Sequence, residues 1–270
     1  ILDQYVACDA LGMSAEAPVL VVKELKTREF IGGAAIVAAH AQSLGSNCYY
    51  LSVVGDDENS RFVRNQLDKY NVSNILITDG SRPTTFKIRY MVENQKLFRV
   101  SRLQDHSLSE AIEAKILEKL EELAPRLNGI LVSDFVYGFI TDNILKYLAS
   151  ISKKYQIKLF GDIQCSSQIG NLLQFNNFFL LSPTEKEARV ALGNKDDNIE
   201  WIAIKLLEQT NTQNLIIKLG SDGFIAYSTE EDGHVNRQHF PSICSNPIDV
   251  TGAGDSLLSL MAVSLCGGNN

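Results

Sequence analysis

The stretch Asp249-Val250-Thr251-Gly252-Ala253-Gly254-Asp255 predicts a turn of small residues that opens the last recognisable helix of the chain. The residues that follow, 256–263, are apolar enough for a buried helix, and Pro247 keeps the preceding loop from being helical. The two glycines of the turn, Gly252 and Gly254, let the backbone approach a ligand without obstruction from a Cβ atom. Unpaired N–H groups and the positive end of the helix dipole would then make an anion site.

Asp255 is the unusual residue of this stretch, because a carboxylate beside an anion site opposes anion binding. It makes chemical sense if a proton is removed next to a developing negative charge, as when a hydroxyl attacks a phosphoryl group. The alternative is an acidic residue in the first turn of a helix, which is favourable there without any function. The short motif alone leaves both interpretations open.

Composition and charge narrow the class of protein. The chain has 270 residues, 45% of them hydrophobic and 21% charged, which is ordinary for a globular domain. A formal net charge of -7 argues against broad binding of nucleic acid or anionic membranes. No apolar run reaches the roughly 18 residues of a membrane span, and the first residues do not resemble a signal peptide. We therefore expect no nucleic-acid or membrane partner.

The cysteines are scattered, odd in number and without metal-ligand spacing. They are Cys8, Cys48, Cys165, Cys244 and Cys266. This usage predicts reduced thiols in a cytoplasmic protein.

Helices and apolar strands alternate from Ser109 onwards. Helices are predicted at 109–123, 141–155 and 199–209, with a further one holding Glu185 and Glu187, and strands at 130–134, 157–162, 178–182 and 215–220. A tight turn at 219–223 leads to one more strand, 224–227. This alternation predicts an α/β fold with a mostly parallel central sheet and helices on both faces.

A polar or small residue closes several of the predicted strands. These residues are Asp56, Asp134, Asp162, Ser182 and Gly220. The carboxyl ends of strands line the ligand crevice of an open α/β sheet, so we expect a site along that edge. Each aspartate taken alone is also compatible with a helix N-cap.

The first hundred residues have a different character. We read 1–5 as the end of a strand with Asp3 where it gives way to a loop, 17–22 as a strand and 23–29 as a polar return. Gly32 and Gly33 then open a helix of small residues. Small residues there either let the helix pack closely on a sheet or let the backbone approach a substrate.

Residues 84–103 predict an antiparallel hairpin with one polar face and a turn at 93–95. Such a hairpin is suited to covering a site, where Lys87 or Arg89 would meet an anionic substrate; the alternative is a solvated basic face. We find no repeat or linker, and predict a single domain over 1–270 with a small β lid within about 14–31 and 84–103. The exposed sheet of that lid would also suit a homodimer interface.

Four stretches in this order resemble the ribokinase/PfkB family of carbohydrate kinases. They are Gly32-Gly33-Ala34-Ala35, Gly55-Asp56-Asp57, Leu219-Gly220-Ser221-Asp222-Gly223 and the segment 249–255, which is similar to the family's C-terminal signature. Within the family the chain is most similar to the D-glycero-β-D-manno-heptose-7-phosphate kinase branch, on the segments 2–5, 14–19, 85–89 and 94–99. The resemblance spans essentially the whole chain and implies a ribokinase-like fold. It also makes both termini look clipped, without the opening strand and last helices of the family.

The resemblance implies transfer of the ATP γ-phosphate to a hydroxyl of a sugar or sugar phosphate, with Mg²⁺. It implies that Asp255 is the general base and that the amides of Gly252, Ala253 and Gly254 form the anion hole. Residues implied near the nucleotide are Lys218, Gly220, Ser221, Gly223 and Thr251. Residues implied to face the substrate are Asp3, Gly32, Gly33, Lys87, Arg89 and Asp134. Glu187 would act on Mg²⁺ through water, with Asp162 as a further metal-site candidate.

Four positions depart from the family pattern. Ile36 stands where the family commonly has an asparagine that bonds the sugar, and Thr184 replaces the asparagine of the metal motif. Tyr137 and Gln164 stand where the heptose kinase branch has lysines. The acceptor end is thus altered while the phosphoryl-transfer end is intact. Three hypotheses follow: a carbohydrate kinase with another acceptor, a catalytically silent sugar- or nucleotide-sensing homologue, and a nucleoside kinase.

Overall fold

The computed structural model describes residues 1–93, 95–164, 170–230, 232–244 and 250–268. The chain forms two compact units, Ile1–Ser43 with Asn47–Gln104, and Leu44–Ser46 with Asp105–Asn270. The single domain over 1–270 stays a prediction. Some sequence-based interpretations fall outside the described residues: Asn94 of the hairpin turn, Cys165, Pro247 with its neighbours, and Asp249. Among the described helices, none combines the length and apolarity needed to cross a bilayer, and the described cysteines are free thiols.

The first unit contains two sheets and two helices. In chain order its elements are β1 (Leu2–Met13), β2 (Leu20–Ile31), α1 (Ala34–Ser43), β3 (Tyr49–Val54), α2 (Glu58–Lys69), β4 (Ser73–Thr78), β5 (Phe86–Val92) and β6 (Gln95–Arg102). One sheet has the order β2-β1-β5-β6, and β3 pairs with β4 in a parallel two-stranded sheet. The hairpin predicted over 84–103 is confirmed as the antiparallel pair β5 and β6. Strand β4 was not predicted.

Two expectations for the start of the chain are wrong. Asp3 does not mark the end of a strand, because β1 continues to Met13. The segment 23–29 is not a polar return, because it lies within β2. Strand β2 pairs with β1 along most of its length, and nearly all of its side chains are exposed. Charged residues therefore occupy both faces of this strand, and the alternating apolar pattern used to recognise strands is missing.

The core of the first unit forms between β1, β5 and the helix α1. Leu2 and Val6 of β1 pack in one cluster with Ala35 and Ala38 of α1 and with Ile88. Alanines at the contact let α1 approach the strands closely, so the first of the two roles considered for these small residues is the one observed.

The second unit contains a six-stranded mixed sheet. In chain order its elements are α3 (Glu110–Leu123), β7 (Gly129–Asp134), α4 (Asp142–Tyr155), β8 (Lys158–Ile163), β9 (Leu180–Leu181), α5 (Glu185–Leu192), α6 (Ile199–Thr210), β10 (Asn214–Lys218), β11 (Phe224–Thr229), β12 (Val235–Phe240) and α7 (Ala253–Cys266). The sheet order is β12-β11-β10-β9-β8-β7. Strands β7 to β10 are parallel, and β11 and β12 add antiparallel pairs. The alternation predicted from residue 109 is confirmed; β12 was not predicted.

Helix starts in this unit follow from local chemistry, and both faces of the sheet are covered. The side chains of Ser109, Thr141 and Asn198 each accept a hydrogen bond from a backbone N–H of the first turn that follows. Helix α7 packs on one face, where Leu258 contacts a cluster that includes Phe160. Neighbouring strand residues point to the opposite face, where α4 contacts β8 and α6 contacts β10.

The parallel strands bring their carboxyl ends to one edge of this sheet. Ser133 of β7 pairs with Asp162 of β8, and Gly161 of β8 pairs with Leu181 of β9. Asp134, Asp162 and Ser182 therefore share this edge, as expected from the sequence. Asp56 does not, because it follows β3 in the first unit.

Candidate active site

Helix α7 begins at the small-residue turn. Its N-cap is Gly252, whose φ of 85° lies in the left-handed region that glycine adopts without strain. The turn is closed by a hydrogen bond from the Ala253 N–H to the Val250 carbonyl, at 3.2 Å. One of the three amides predicted for the anion hole is therefore already used inside the turn. The N–H groups of a first helical turn have no acceptor within the helix, so this end retains its donor character.

Asp255 lies in the first turn of α7 and is 8% exposed. One of its carboxylate oxygens, Oδ1, accepts a hydrogen bond from Nε2 of Gln164 at 2.9 Å. Its backbone carbonyl accepts from the hydroxyl of Ser259 at 2.7 Å, one turn further along the helix. The carboxylate is thus held in a polar contact inside the second unit, close to the glycine turn.

Asp162 and Lys218 form a buried ion pair beside this carboxylate. Lys218 Nζ donates to Asp162 Oδ1 at 2.8 Å, and Asp162 is 2% exposed. Burial raises the pKa of Asp162, and the Lys218 ammonium acts in the opposite direction. Charge on Glu187 also raises the pKa of Asp162, while a hydrogen bond from Gln164 lowers it. The Lys218 cation therefore offsets part of the desolvation that disfavours the ionised form of Asp162.

The Lys218 side chain also packs against the glycine turn. A Cβ atom on Gly254 would lie 3.2 Å from Lys218 Nζ and 3.5 Å from its Cδ. The absence of a side chain at this position lets the ammonium lie against the start of α7. A positive charge and the amino end of a helix thus lie side by side, and both favour an anion.

The turn between β10 and β11 carries the residues implied near the nucleotide. Gly220 has a φ of 64° and Gly223 a φ of 87°. A Cβ atom on Gly223 would lie 2.0 Å from the carbonyl oxygen of Phe240, so this glycine is required by the local backbone itself. A cavity of about 470 Å³ adjoins the turn, and its lining includes Leu219, Ser221, Asp222, Arg237, His239 and Ser242. Ser221 is thus the predicted nucleotide-site residue that lines this cavity.

Glu187 is engaged in a helix cap. Its Oε2 accepts from both the backbone N–H and the hydroxyl of Thr184, each at 2.8 Å, in a capping box at the start of α5. Within the described ranges, no group of three or more His, Cys, Asp or Glu side chains is arranged to hold a metal ion. Mg²⁺ bound with a nucleotide typically uses one or two carboxylates plus phosphate oxygens and waters. The oxygen chemistry of Glu187 and Asp162 fits that mode, and does not form an all-protein cage.

Asp134 is buried at the end of β7 and accepts a hydrogen bond from the Val136 N–H at 2.8 Å. Burial raises the pKa of Asp134, and this hydrogen bond acts in the opposite direction. Val136 has a φ of 61°, a costly conformation for a β-branched residue. The next residue, Tyr137, is buried and stacks on Phe135 with 6.3 Å between ring centroids. The position where the heptose kinase branch has lysine is thus part of an aromatic pair.

The first unit assembles a separate cluster. Asp3 of β1 pairs with Arg89 of β5, whose guanidinium lies over the Tyr5 ring at 5.3 Å. A Cβ atom on Gly32 would lie 2.0 Å from Asp3 Oδ2, so the glycine is in direct contact with this carboxylate. Lys87 is opposite Asp3 in the parallel register and is 3% exposed. Gly33, with a φ of 57°, leads into α1.

The predicted residues therefore fall into two groups. Asp255, Gly254, Lys218 and Asp162 are neighbours in the second unit, and Asp3, Gly32 and Arg89 are neighbours in the first. The sequence analysis singled out Gln164 only as a departure from the family pattern, although it joins Asp162 to Asp255. The two-residue spacing between Asp162 and Gln164 was the signal available in the sequence, because alternate residues of an extended segment point to the same side.

A comparison with models of protein families shows to which family the chain belongs. Residues 4–270 match the family model described as pfkB family carbohydrate kinase. The chain belongs to the pfkB family of carbohydrate kinases. The recognition made from the motifs is thereby confirmed.

Relatives among curated proteins are similar over nearly the whole of this pfkB-family chain. "Bifunctional protein HldE" of Campylobacter jejuni subsp. doylei is 33% identical over 272 residues, covering 99% of the chain and 55% of the relative. The protein of the same name from Geobacter sulfurreducens is 30% identical, covering 99% of the chain and 54% of the relative. The chain thus spans about half the length of the curated relatives it matches.

Solved structures confirm the ribokinase-like α/β fold. Phosphofructokinase-2 from Escherichia coli, in complex with substrates and products, has a TM-score of 0.77 at 16% identity, with 100% of this chain and 85% of that one covered. Ribokinase from Thermotoga maritima has a TM-score of 0.73 at 21% identity, with 100% and 84% covered. At these identities the likeness concerns the fold alone.

Proposed function

We propose that the chain transfers the γ-phosphoryl group of ATP to a hydroxyl of a sugar or sugar phosphate. The observation that carries this proposal is the buried carboxylate of Asp255 in the first turn of α7, directly after the left-handed Gly252 turn. Membership in a family of carbohydrate kinases supports the same reaction class.

In this proposal Asp255 accepts the proton of the acceptor hydroxyl as its oxygen attacks the γ-phosphorus. The bond from the γ-phosphorus to the bridging oxygen then breaks, and ADP leaves. The Gly252 and Gly254 amides of the glycine turn and the Lys218 ammonium stabilise the charge that develops on the transferred group. A general base of this kind contributes roughly 10²–10⁴-fold, and positioning and charge stabilisation supply the rest.

The turn at 220–223 and its adjoining cavity are proposed to hold the nucleotide, with Ser221 in the lining. Mg²⁺ bound with ATP would neutralise charge on the phosphates, and Glu187 would hold it through water. Asp3, Gly32, Gly33, Lys87, Arg89 and Asp134 are proposed to recognise the acceptor. Tyr137 and Gln164 carry no positive charge, so we propose an acceptor other than heptose 7-phosphate, or a looser choice of acceptor than that one.

The proposal is tested by ADP release from ATP and Mg²⁺ across sugars, sugar phosphates including heptose 7-phosphate, and nucleosides including adenosine. In the full-length protein, Asp255→Asn is expected to lower kcat by about 10²–10⁴-fold on the productive acceptor. Asp142→Asn is the matched control, since Asp142 is an exposed carboxylate in the first turn of α4. That control is expected to stay within about twofold of wild type, because surface substitutions rarely matter.

Other results would point to other functions. Turnover on adenosine alone would favour a nucleoside kinase. Thermal stabilisation by a sugar or by ATP, without any turnover that depends on Asp255, would favour the catalytically silent homologue and overturn the proposed reaction.

A homodimer through the four-stranded sheet of the first unit is proposed as well. Large apolar side chains are exposed on its strands, among them Leu11, Met13, Leu25, Phe30, Phe98 and Val100. Exposed apolar area of this kind on a sheet is typical of an interaction surface. Light scattering should give twice the monomer mass for wild type and the monomer mass for Leu25→Glu; a monomeric wild type would contradict the proposal.

A further inference from the structure

The side-chain amide of Gln164 lies between two buried carboxylates. Its Nε2 is 2.9 Å from Asp255 Oδ1 and 3.4 Å from Asp162 Oδ2. Ionised carboxylate oxygens only accept hydrogen bonds, whereas the amide nitrogen carries two N–H donors. The amide nitrogen faces both carboxylates and can offer one N–H donor to each of them.

A backbone hydrogen bond at the end of β8 fixes the position of Gln164 beside the sheet. The Gln164 backbone N–H donates to the Asp134 carbonyl at 2.8 Å, which continues the pairing of β8 with β7. Gln164 directly follows β8, and Asp162, two residues earlier on that strand, is itself held by Lys218. The donor is therefore anchored to the sheet.

This arrangement holds one oxygen of the Asp255 carboxylate. The terminal torsion of an aspartate is soft, so its orientation depends on the contacts of its oxygens. Gln164 holds Oδ1, and the other oxygen, Oδ2, lies 4.0 Å from where a Cβ atom on Gly252 would be. One oxygen is thus tied to the sheet while the other lies on the side of the glycine turn.

We propose that Gln164 is a positioning residue for phosphoryl transfer, which orients the Asp255 carboxylate and links it through Asp162 to Lys218. This inference rests on the proposed function, in which Asp255 takes the acceptor proton. The amide also separates two carboxylates that would otherwise repel each other, and it does so without adding a charge of its own.

Kinetics of three variants test the positioning role, with ATP and the acceptor that gives the highest turnover in the panel. Gln164→Met keeps the length of the side chain and removes both donors; kcat should fall by about tenfold or more, since small misplacements of reacting groups cost up to about 10²-fold. The KM for ATP should stay within about twofold. Gln164→Asn keeps an uncharged amide with two N–H donors on a shorter side chain and should lose less kcat than Gln164→Met. Gln209→Met, at an exposed glutamine of α6, is the control and should leave kcat unchanged.

Crystal structures of wild type and Gln164→Met give a readout that does not depend on turnover. The Asp255 carboxylate should rotate by more than about 30° when the donor is removed, since that is the scale that separates side-chain orientations. An unchanged carboxylate would overturn the inference whatever the activity. Full activity of Gln164→Met beside an inactive Asp255→Asn would overturn it and leave the proposed function standing. Full activity of both variants would overturn the proposed function and this inference with it.

Discussion

The described residues of each unit include an ion pair between predicted functional residues, and these two pairs differ in how deeply they are buried and in what else they contact. In the first unit, the side chains of Arg89 and Asp3 are each 13% exposed, and the guanidinium also lies over Tyr5. In the second unit, the side chain of Asp162 is 1% exposed and that of Lys218 is 15% exposed. Asp162 is in addition joined to Asp255 through an amide.

The difference shows that a cation has two distinct uses in this protein. Beside Asp162 it compensates a carboxylate that burial would otherwise neutralise, because desolvation disfavours the ionised form. Beside Asp3, which retains some contact with water, the cation mainly fixes where the carboxylate lies on the sheet. Breaking the Lys218–Asp162 pair should therefore lower the free energy of unfolding more. Breaking the Arg89–Asp3 pair should lower it less and should mainly displace the Asp3 carboxylate.

The largest expected effect comes from removing each cation. Lys218→Met should lower the free energy of unfolding by about 3–5 kcal/mol, the usual result of leaving a buried charge unpaired. Arg89→Met should cost about 2 kcal/mol, the scale of one hydrogen bond to a charged group. Lys205→Met is the control, since its partner Glu208 is exposed, and should cost about 0.5 kcal/mol or less. Urea unfolding measures all three variants.

A second substitution tests whether the uncompensated Asp162 carboxylate causes the loss of stability in Lys218→Met. Adding Asp162→Asn to Lys218→Met removes the uncompensated charge and should recover at least about half of the loss. Equal costs for Lys218→Met and Arg89→Met would contradict the distinction between the two pairs.

A smaller effect is expected at the glycine that touches Asp3. Gly32→Ala places a Cβ atom on Asp3 Oδ2, so it should move that carboxylate and cost about 1–3 kcal/mol, as overpacking generally does. The KM for the acceptor should rise while the KM for ATP stays within about twofold of wild type, since Asp3 is proposed to face only the acceptor. Gly80→Ala is the matched control in the same unit, because nothing lies within 4 Å of the added atom and its φ is not positive. A Gly32→Ala protein with wild-type stability and kinetics would show that the contact is unimportant.

The smallest expected effect is a pH-dependent rise in the free energy of unfolding when Asp134 is replaced by asparagine. Because burial raises the pKa of Asp134, folding is favoured by its protonated form. The contribution of Asp134 to the free energy of unfolding is fully present below the ordinary aspartate pKa. It is lost as the pH rises through the pKa that Asp134 has in the folded state. Asp134→Asn retains an acceptor for the Val136 N–H and removes this loss. The variant should be more stable than wild type by roughly 1 kcal/mol at pH 8, the lower end of the cost of burying a polar group.

Thermal unfolding of wild type and Asp134→Asn at pH 3.5 and pH 8 measures this gain. The difference between the proteins should shrink at the lower pH, where Asp134 is protonated in the folded state and mostly protonated in the unfolded state. A difference that is the same at both values would mean that the carboxylate is compensated by other contacts.

The sequence predicted the second unit well because its strands are buried on both faces. Runs such as 178–181 are apolar throughout, and side chains of the Ser109 and Thr141 type mark where the next helix begins. The first unit was predicted less well, since β2 is exposed and its charged residues follow neither period. Backbone pairing with β1, which leaves no trace in the side-chain pattern, is what makes it a strand.

Three features could be read from the amino acids alone: the family, the small-residue turn before α7 and the types of residue that phosphoryl transfer requires. Motif order carries that information, because each glycine is needed where the backbone turns or comes close to another group. The pairing of these side chains emerges only in the folded chain: Lys218 with Asp162, Gln164 with Asp255, and Arg89 with Asp3. These contacts join residues from 56 to 91 positions apart, and strand register and helix packing, rather than local sequence, bring such residues together.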